Sequence, residues 1–240
     1  MRSWPAAIIA LAFVWTSAAY AGELAEFNAA VEIVAAHNRV AIGYLRTGNT
    51  DLAAVELDRL RAAWAALNQR FAGKRPDVFA GNPRYGLAFT DIATRLIAAD
   101  MMLNSGRPEA ARDALNAVRG DFYDLRKSAG IVVLADCVRD ANGAMDALMA
   151  YDNAPIDWSK PEAGFAIAGK AAVYDYVLSR CDGMANESLR KLPEFRRLID
   201  GAKTSLALIP KAVAERDRDF LHRILIELRS FDNLLAFRYG

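Results

Sequence analysis

Histidine and cysteine are scarce in this 240-residue chain, two of each, and their spacings exclude several chemistries. His37 and His222 belong to no H-E-x-x-H pattern, so a zinc protease has no ligand set here. Cys137 and Cys181 form no C-x-x-C, which argues against dithiol redox chemistry and thiolate metal ligation. Neither G-x-S-x-G nor a phosphate-binding glycine loop occurs, and with them goes every specific reason to propose an enzyme. An excess of either charge is also missing. Thirty basic residues against 29 acidic ones give a net charge of +1, too little to gather nucleic acid or an anionic membrane surface as partner. Fifteen glycines and eight prolines exclude a collagenous or low-complexity chain.

What is present begins at the N-terminus. Arg2 is the sole charge before Glu23 and precedes an apolar run from Ala6 to Val14, followed by Ala18-Ala19-Tyr20-Ala21. A basic start, an apolar run and an A-x-A end describe a secretory signal, residues 1–21, cleaved after Ala21. A membrane anchor would need a longer stretch, without Pro5, Thr16 and Ser17, and a basic cluster to stop transfer. Residues 22–240 then form the mature chain, which has no membrane span and is expected in a bacterial periplasm. That oxidising compartment lets Cys137 and Cys181 persist as a disulfide. The loop it closes, about 44 residues, is worth about 3–4 kcal/mol in the chain-entropy account.

From Glu23 onward apolar residues recur at helical spacing and no segment alternates as a half-buried strand does, so the expectation is one all-α domain over 22–240. Phe27, Val31, Val34, Ala41 and Leu45 trace one stripe that Gly48-Asn49 closes. A second helix opens with Asn49 or Thr50 as N-cap and runs through Leu57, Leu60, Trp64, Leu67 and Phe71. After a long Gly- and Pro-containing connection over 72–86, further helices are expected at 87–104, from Pro108, and at 131–151, 165–180, 193–207 and 217–237.

The hairpins echo one another. Gly48, Asp51, Ala53, Leu57, Leu60, Arg61 and Trp64 reappear, at a constant offset of 58, as Gly106, Glu109, Ala111, Leu115, Val118, Arg119 and Phe122, so that 41–71 and 99–127 share one pattern. Asp219, Leu225, Leu228 and Arg229 repeat part of it at an offset of 168. The Arg that recurs in each copy is either solvated or a bridge to a carboxylate on the facing helix. Tyr44-x-x-x-Gly48-x-x-Asp51-x-Ala53 resembles the tetratricopeptide pattern, whose period of about 34 residues is much shorter than the offset found here. The short turns suit an antiparallel up-and-down bundle of about seven helices, built from helical hairpins, better.

Glu215-x-Asp217-x-Asp219 with Leu221 loosely resembles the last helix of the cytochrome c′ and cytochrome b562 families. The resemblance implies haem held between the first and last helices. Covalent attachment needs C-x-x-C-H, where this chain has Arg229-Ser230-Phe231-Asp232-Asn233. Noncovalent haem would use His37 and His222 as ligands, or a His with a Met. Met101, Met145 and Met149 offer thioethers for copper(I), the last two on one helix face, although methionine at helical spacing also fills core gaps. Asp136 and Asp140 share a face and suit acid–base work, a hard cation or simple pairing with Arg; Asp91 is a third carboxylate near apolar sequence.

The segment 221–240 stays apolar to the chain end, as a central core helix would, or one whose last turns enter a partner. On such a helix Arg229 and Asp232 need each other or another polar partner. The sum is an exported, noncatalytic binding or accessory protein acting on a protein partner or small ligand, with no cofactor expected and its oligomeric state open. A haem- or copper-binding protein is the alternative.

Overall fold

The computed structural model describes the backbone of residues 9–153 and 155–240, and the side chains of 22–152 and 155–240. Residues 1–8 of the expected signal lie outside the described residues, as do the side chains of 9–21. The helices are α1 (Ile9–Arg46), α2 (Thr50–Phe71), α3 (Arg84–Asn104), α4 (Pro108–Ser128), α5 (Leu134–Asn153), α6 (Pro161–Met184), α7 (Glu187–Arg190), α8 (Pro193–Leu206), α9 (Ile209–Glu215) and α10 (Arg218–Tyr239). Eight are long and α7 and α9 are short, against the expected seven or so. Among the described residues there is no strand, so the fold is the all-α bundle of antiparallel hairpins read from the periodicity. No described helix is long and apolar enough to cross a membrane.

The chain divides into two compact units, up to Ile131 and Val132–Gly240. In the first, α1 pairs with α2 and α3 with α4, while α1 also meets α4 and α2 meets α3. In the second, α5 pairs with α6 and α10 with α8 and α9, while α5 meets α10 and α6 meets α8 and α9. If α8 and α9 are taken as one helix broken near Pro210, the two units share one connectivity.

Three of the reversals have a common cause. The helix before the turn ends on a residue of positive φ, which lets the next amide reach back five residues. Asn49 N donates to the Tyr44 carbonyl beyond Gly48 (φ 75°), and Arg107 N to Met102 beyond Gly106 (φ 71°). Asp217 N does the same to Ala212, but the left-handed residue there is Arg216 (φ 55°), the one described non-glycine with positive φ. Arg216 aligns with Gly48 at the offset of the weaker echo. The following helix is capped locally, by Asn49 accepting from Leu52 N (3.2 Å) and by Asp217 accepting from Phe220 N (2.8 Å).

Burial follows the echo well beyond the turns. Phe27, Tyr85 and Phe195 are equivalent and buried, and so are Val31, Phe89 and Ile199, then Ala41, Ala99 and Ile209. Across the turn the buried sets are Ala53, Ala111 and Leu221; Leu57, Leu115 and Leu225; Leu60, Val118 and Leu228. The next set is Trp64, Phe122 and Asp232, a carboxylate where the first unit has aromatic rings.

In the first unit Phe27 meets Phe71 and Phe79 edge-on at 5.4 and 5.3 Å, and the Tyr85 hydroxyl donates to the Phe71 carbonyl at 2.8 Å. These rings order the connection after α2, where Asp77–Phe79 form a 3-10 turn and α3 starts at Arg84 rather than 87. Asn38, fully buried on α1, donates to the Leu115 carbonyl of α4 (3.0 Å). In the second unit Cys137 of α5 and Cys181 of α6 are at bonding distance (Cα–Cα 5.5 Å). The last helix is a core element: Leu221, Ile224, Leu225, Leu228 and Leu235 are buried, and Tyr239 meets Phe195 edge-on at 5.3 Å.

A side chain in the left-handed region costs about 1 kcal/mol that glycine avoids. The variant Arg216→Gly is therefore expected to raise the unfolding free energy by about 0.5–1 kcal/mol, read from urea midpoints. An unchanged or lowered midpoint would mean that the Arg216 side chain contributes more than its backbone costs.

Candidate functional site

Each histidine is held by a carboxylate within its own unit. His37 Nδ1 lies 2.5 Å from Glu56 Oε1, joining α1 to α2, and Glu56 also accepts from Arg59 at 3.1 Å. His222 Nδ1 lies 2.5 Å from Asp152 Oδ1, joining α10 to α5. The ligand set read from the sequence is therefore divided. His37 and the exposed Met101 belong to the first unit; His222, the buried Met145 and the half-buried Met149 belong to the second. Among the described residues no three His, Cys, Asp or Glu side chains gather as a metal site would need.

Asp136 and Asp140, which the sequence offered for acid–base work, a hard cation or pairing with Arg, each have a partner within the second unit. Asp136 accepts from the Val133 amide (3.1 Å) at the start of α5, and Asp140 forms an ion pair with Arg180 of α6. Two of the recurring arginines bridge to a facing helix, Arg61 to Asp100 (3.7 Å) and Arg229 to Asp146 (2.6 Å).

A cavity of about 120 Å³ opens where the end of α5 and the segment after it meet the first turns of α10. Its floor is Leu221 and Leu225, both buried, with Ile156 beside them. Its rim carries Tyr151, Asp152, Arg218, Asp219 and His222. Asp152 engages the imidazole through Nδ1, so Nε2 is the ring nitrogen left for a hydrogen bond, proton transfer or ligation. Among the described residues Arg218 and Asp219 form no ion pair, so the rim carries a cation and an anion side by side. The sequence singled out His222 but not this rim, because Asp152 stands 70 residues away and only the α5–α10 packing joins them.

A second polar group lies inside the same unit. Asn142 of α5 donates to Asp232 Oδ1 (2.9 Å), and Arg229 donates to Asp232 Oδ2 (3.1 Å) and to Asp146 (2.6 Å). Tyr174 of α6 is fully buried, and its hydroxyl feels the Asp232 charge without forming a well-directed hydrogen bond. Burial pushes the Asp232 carboxyl up to about 6, against the pull of Asn142 and Arg229, and burial likewise raises the Tyr174 phenol.

The sign of the pH effect follows. Asp232 binds a proton more tightly folded than unfolded, so its favourable contribution is complete below about pH 4 and is lost as pH rises through about 6. The span is about 3 kcal/mol at most. The variant Asp232→Asn, which keeps the shape and neutrality, should be more stable than the parent at pH 7 and nearly equal to it at pH 4. Urea midpoints of both proteins at several pH values check this; a parallel pair of curves would place the proton elsewhere.

No family model matches the chain, and no curated protein or solved structure shows detectable similarity to it.

Proposed function

We propose that this protein is an exported, noncatalytic helical-bundle binding or accessory protein of the periplasm, and that its second unit holds a small ligand in the cavity between α5 and α10. The observation that carries the reading is the rim, where Arg218 and Asp219, without an ion pair among the described residues, stand beside the His222–Asp152 pair. A mouth with one free charge of each sign favours a ligand that carries both, an amino acid or very short peptide, because a singly charged ligand leaves one rim charge facing its own sign. The apolar floor takes a small side chain and 120 Å³ excludes a large one. Export is supported by the signal-like segment 1–21 and by the cysteine pair at bonding distance.

Titration with free amino acids, followed by the ring resonances of His222, is the direct test. Small aliphatic amino acids are expected to bind with a Kd of about 0.1 mM, and Arg218→Ala to weaken them at least tenfold. Loss of shifts for every zwitterion tried would remove the cavity as the binding site.

The haem or copper reading is favoured by one observation of its own. A carboxylate on Nδ1 is how proteins commonly orient an imidazole that binds metal through Nε2, and Met145 and Met149 lie on α5, the helix His222 joins. The absorption spectrum and metal content of protein purified without reducing agent decide it. A Soret band or stoichiometric copper that disappears in His222→Ala would replace the zwitterion reading, and a colourless, metal-free protein after both are offered would retire the cofactor.

A further inference from the structure

Helix α6 is apolar on two opposite faces, and its unit covers only one of them. Ile167, Ala171, Tyr174, Leu178 and Cys181 are buried. On the other side Phe165 is 75% exposed, Tyr176 67% and Val173 52%, with Gly169 and Ala172 exposed between them. Positions 162, 165, 169, 172, 176 and 179 alternate in steps of three and four, which is the seam of a two-helix coil. An added Cβ at Gly169 would meet nothing, so no contact within the chain calls for a glycine that costs mid-helix stability of about 1 kcal/mol.

The face is its own mirror along the helix. Phe165 and Tyr176 are symmetric about a point between residues 170 and 171, as are Gly169 and Ala172, Ala168 and Val173, and Glu162 and Ser179. Laid antiparallel on a copy of itself, each ring meets the other type of ring and the small residues meet at the centre, where the backbones come closest. The ends are polar and set the limits of the apolar face: Glu162 lies at one, and at the other Ser179 accepts from Lys203 (2.7 Å), whose charge is met by Asp175 as that of Arg180 is by Asp140. Antiparallel helix dipoles add to the match, and Lys170 lies off the seam.

We propose that two copies of this chain pair through α6, antiparallel and two-fold symmetric, with Phe165 against the partner copy's Tyr176. Each of these rings leaves about 150 Å² in solvent. The two faces together cover about 1,000–1,200 Å², the lower edge of stable interfaces, so the dimer is weak and concentration-dependent.

Sedimentation velocity of the full chain, disulfide intact, tests this over a concentration series. The parent should pass from monomer to dimer with a Kd of about 10 µM, and Phe165→Glu should weaken association at least thirtyfold with an unchanged circular dichroism spectrum. Combining Phe165→Glu with Tyr176→Lys places opposite charges at both ends of the antiparallel register and should restore a dimer that salt dissociates. A parent that stays monomeric to about 500 µM overturns the proposal, as does a Phe165→Glu variant that dimerises like the parent. A double variant that stays monomeric overturns the antiparallel register.

Discussion

The hairpin reversal is the constraint from which the rest of the structure descends. A helix that ends in the left-handed region and returns an amide five residues back is stopped at that point, and where the next helix starts at once, as α2, α4 and α10 do, it folds back along the first and the two bury what lies on their shared side. Gly48, Gly106 and Arg216 impose this in the same way. Once the turn is set, buried positions fall at equal distances on either side of it, which is why Phe27, Tyr85 and Phe195 occupy equivalent places far from the turns that align them. The rule sets both hairpins of the first unit and the last one of the second.

Within that common frame the units spend their interiors differently. The first closes one end with rings, Phe27, Phe71, Phe79 and Tyr85, and places Trp64 and Phe122 at the positions that in the second unit fall to Asp232. A buried carboxylate costs stability even with Asn142 and Arg229 beside it, of order 3 kcal/mol by the rise of its proton affinity. The cysteine pair between α5 and α6 contributes about 3–4 kcal/mol in the opposite sense, in the same unit. Asn142, about one and a half turns of α5 from Cys137, and Tyr174, two turns of α6 from Cys181, come from the two helices the cysteines join, so the bridge holds the elements that carry the polar group.

Much of this was legible in residues close in sequence. The stripes, the cap at Asn49, the turns at Gly48 and Gly106 and the need of Arg229 and Asp232 for polar partners all depend on neighbours within a helical turn or two. The core role of the last helix was legible too, since an apolar helix with a 3.6-residue period has to be covered. Illegible were the partners supplied by packing: Glu56 for His37, Asp152 for His222, and Asn142 for Asp232. The division at Ile131 was hidden for a related reason. The weaker, more distant echo has no glycine at its turn, the helix before it is broken at 207–208, and the α5–α6 hairpin has a Pro-containing connection that aligns with nothing.

Helix α6 shows how a misleading signal in sequence becomes informative in structure. The sequence placed a helix at 165–180, and apolar side chains occur on most of its faces. Its unit covers one side and leaves Phe165, Val173 and Tyr176 in solvent. A contiguous apolar face that its own unit leaves in solvent is available to a contact outside that unit. The same reasoning applies at the rim beside His222, where Arg218 and Asp219 are charges that no ion pair among the described residues has neutralised. In both places it is the residues without a partner among the described ones, rather than those the fold employs, that carry the proposals made above.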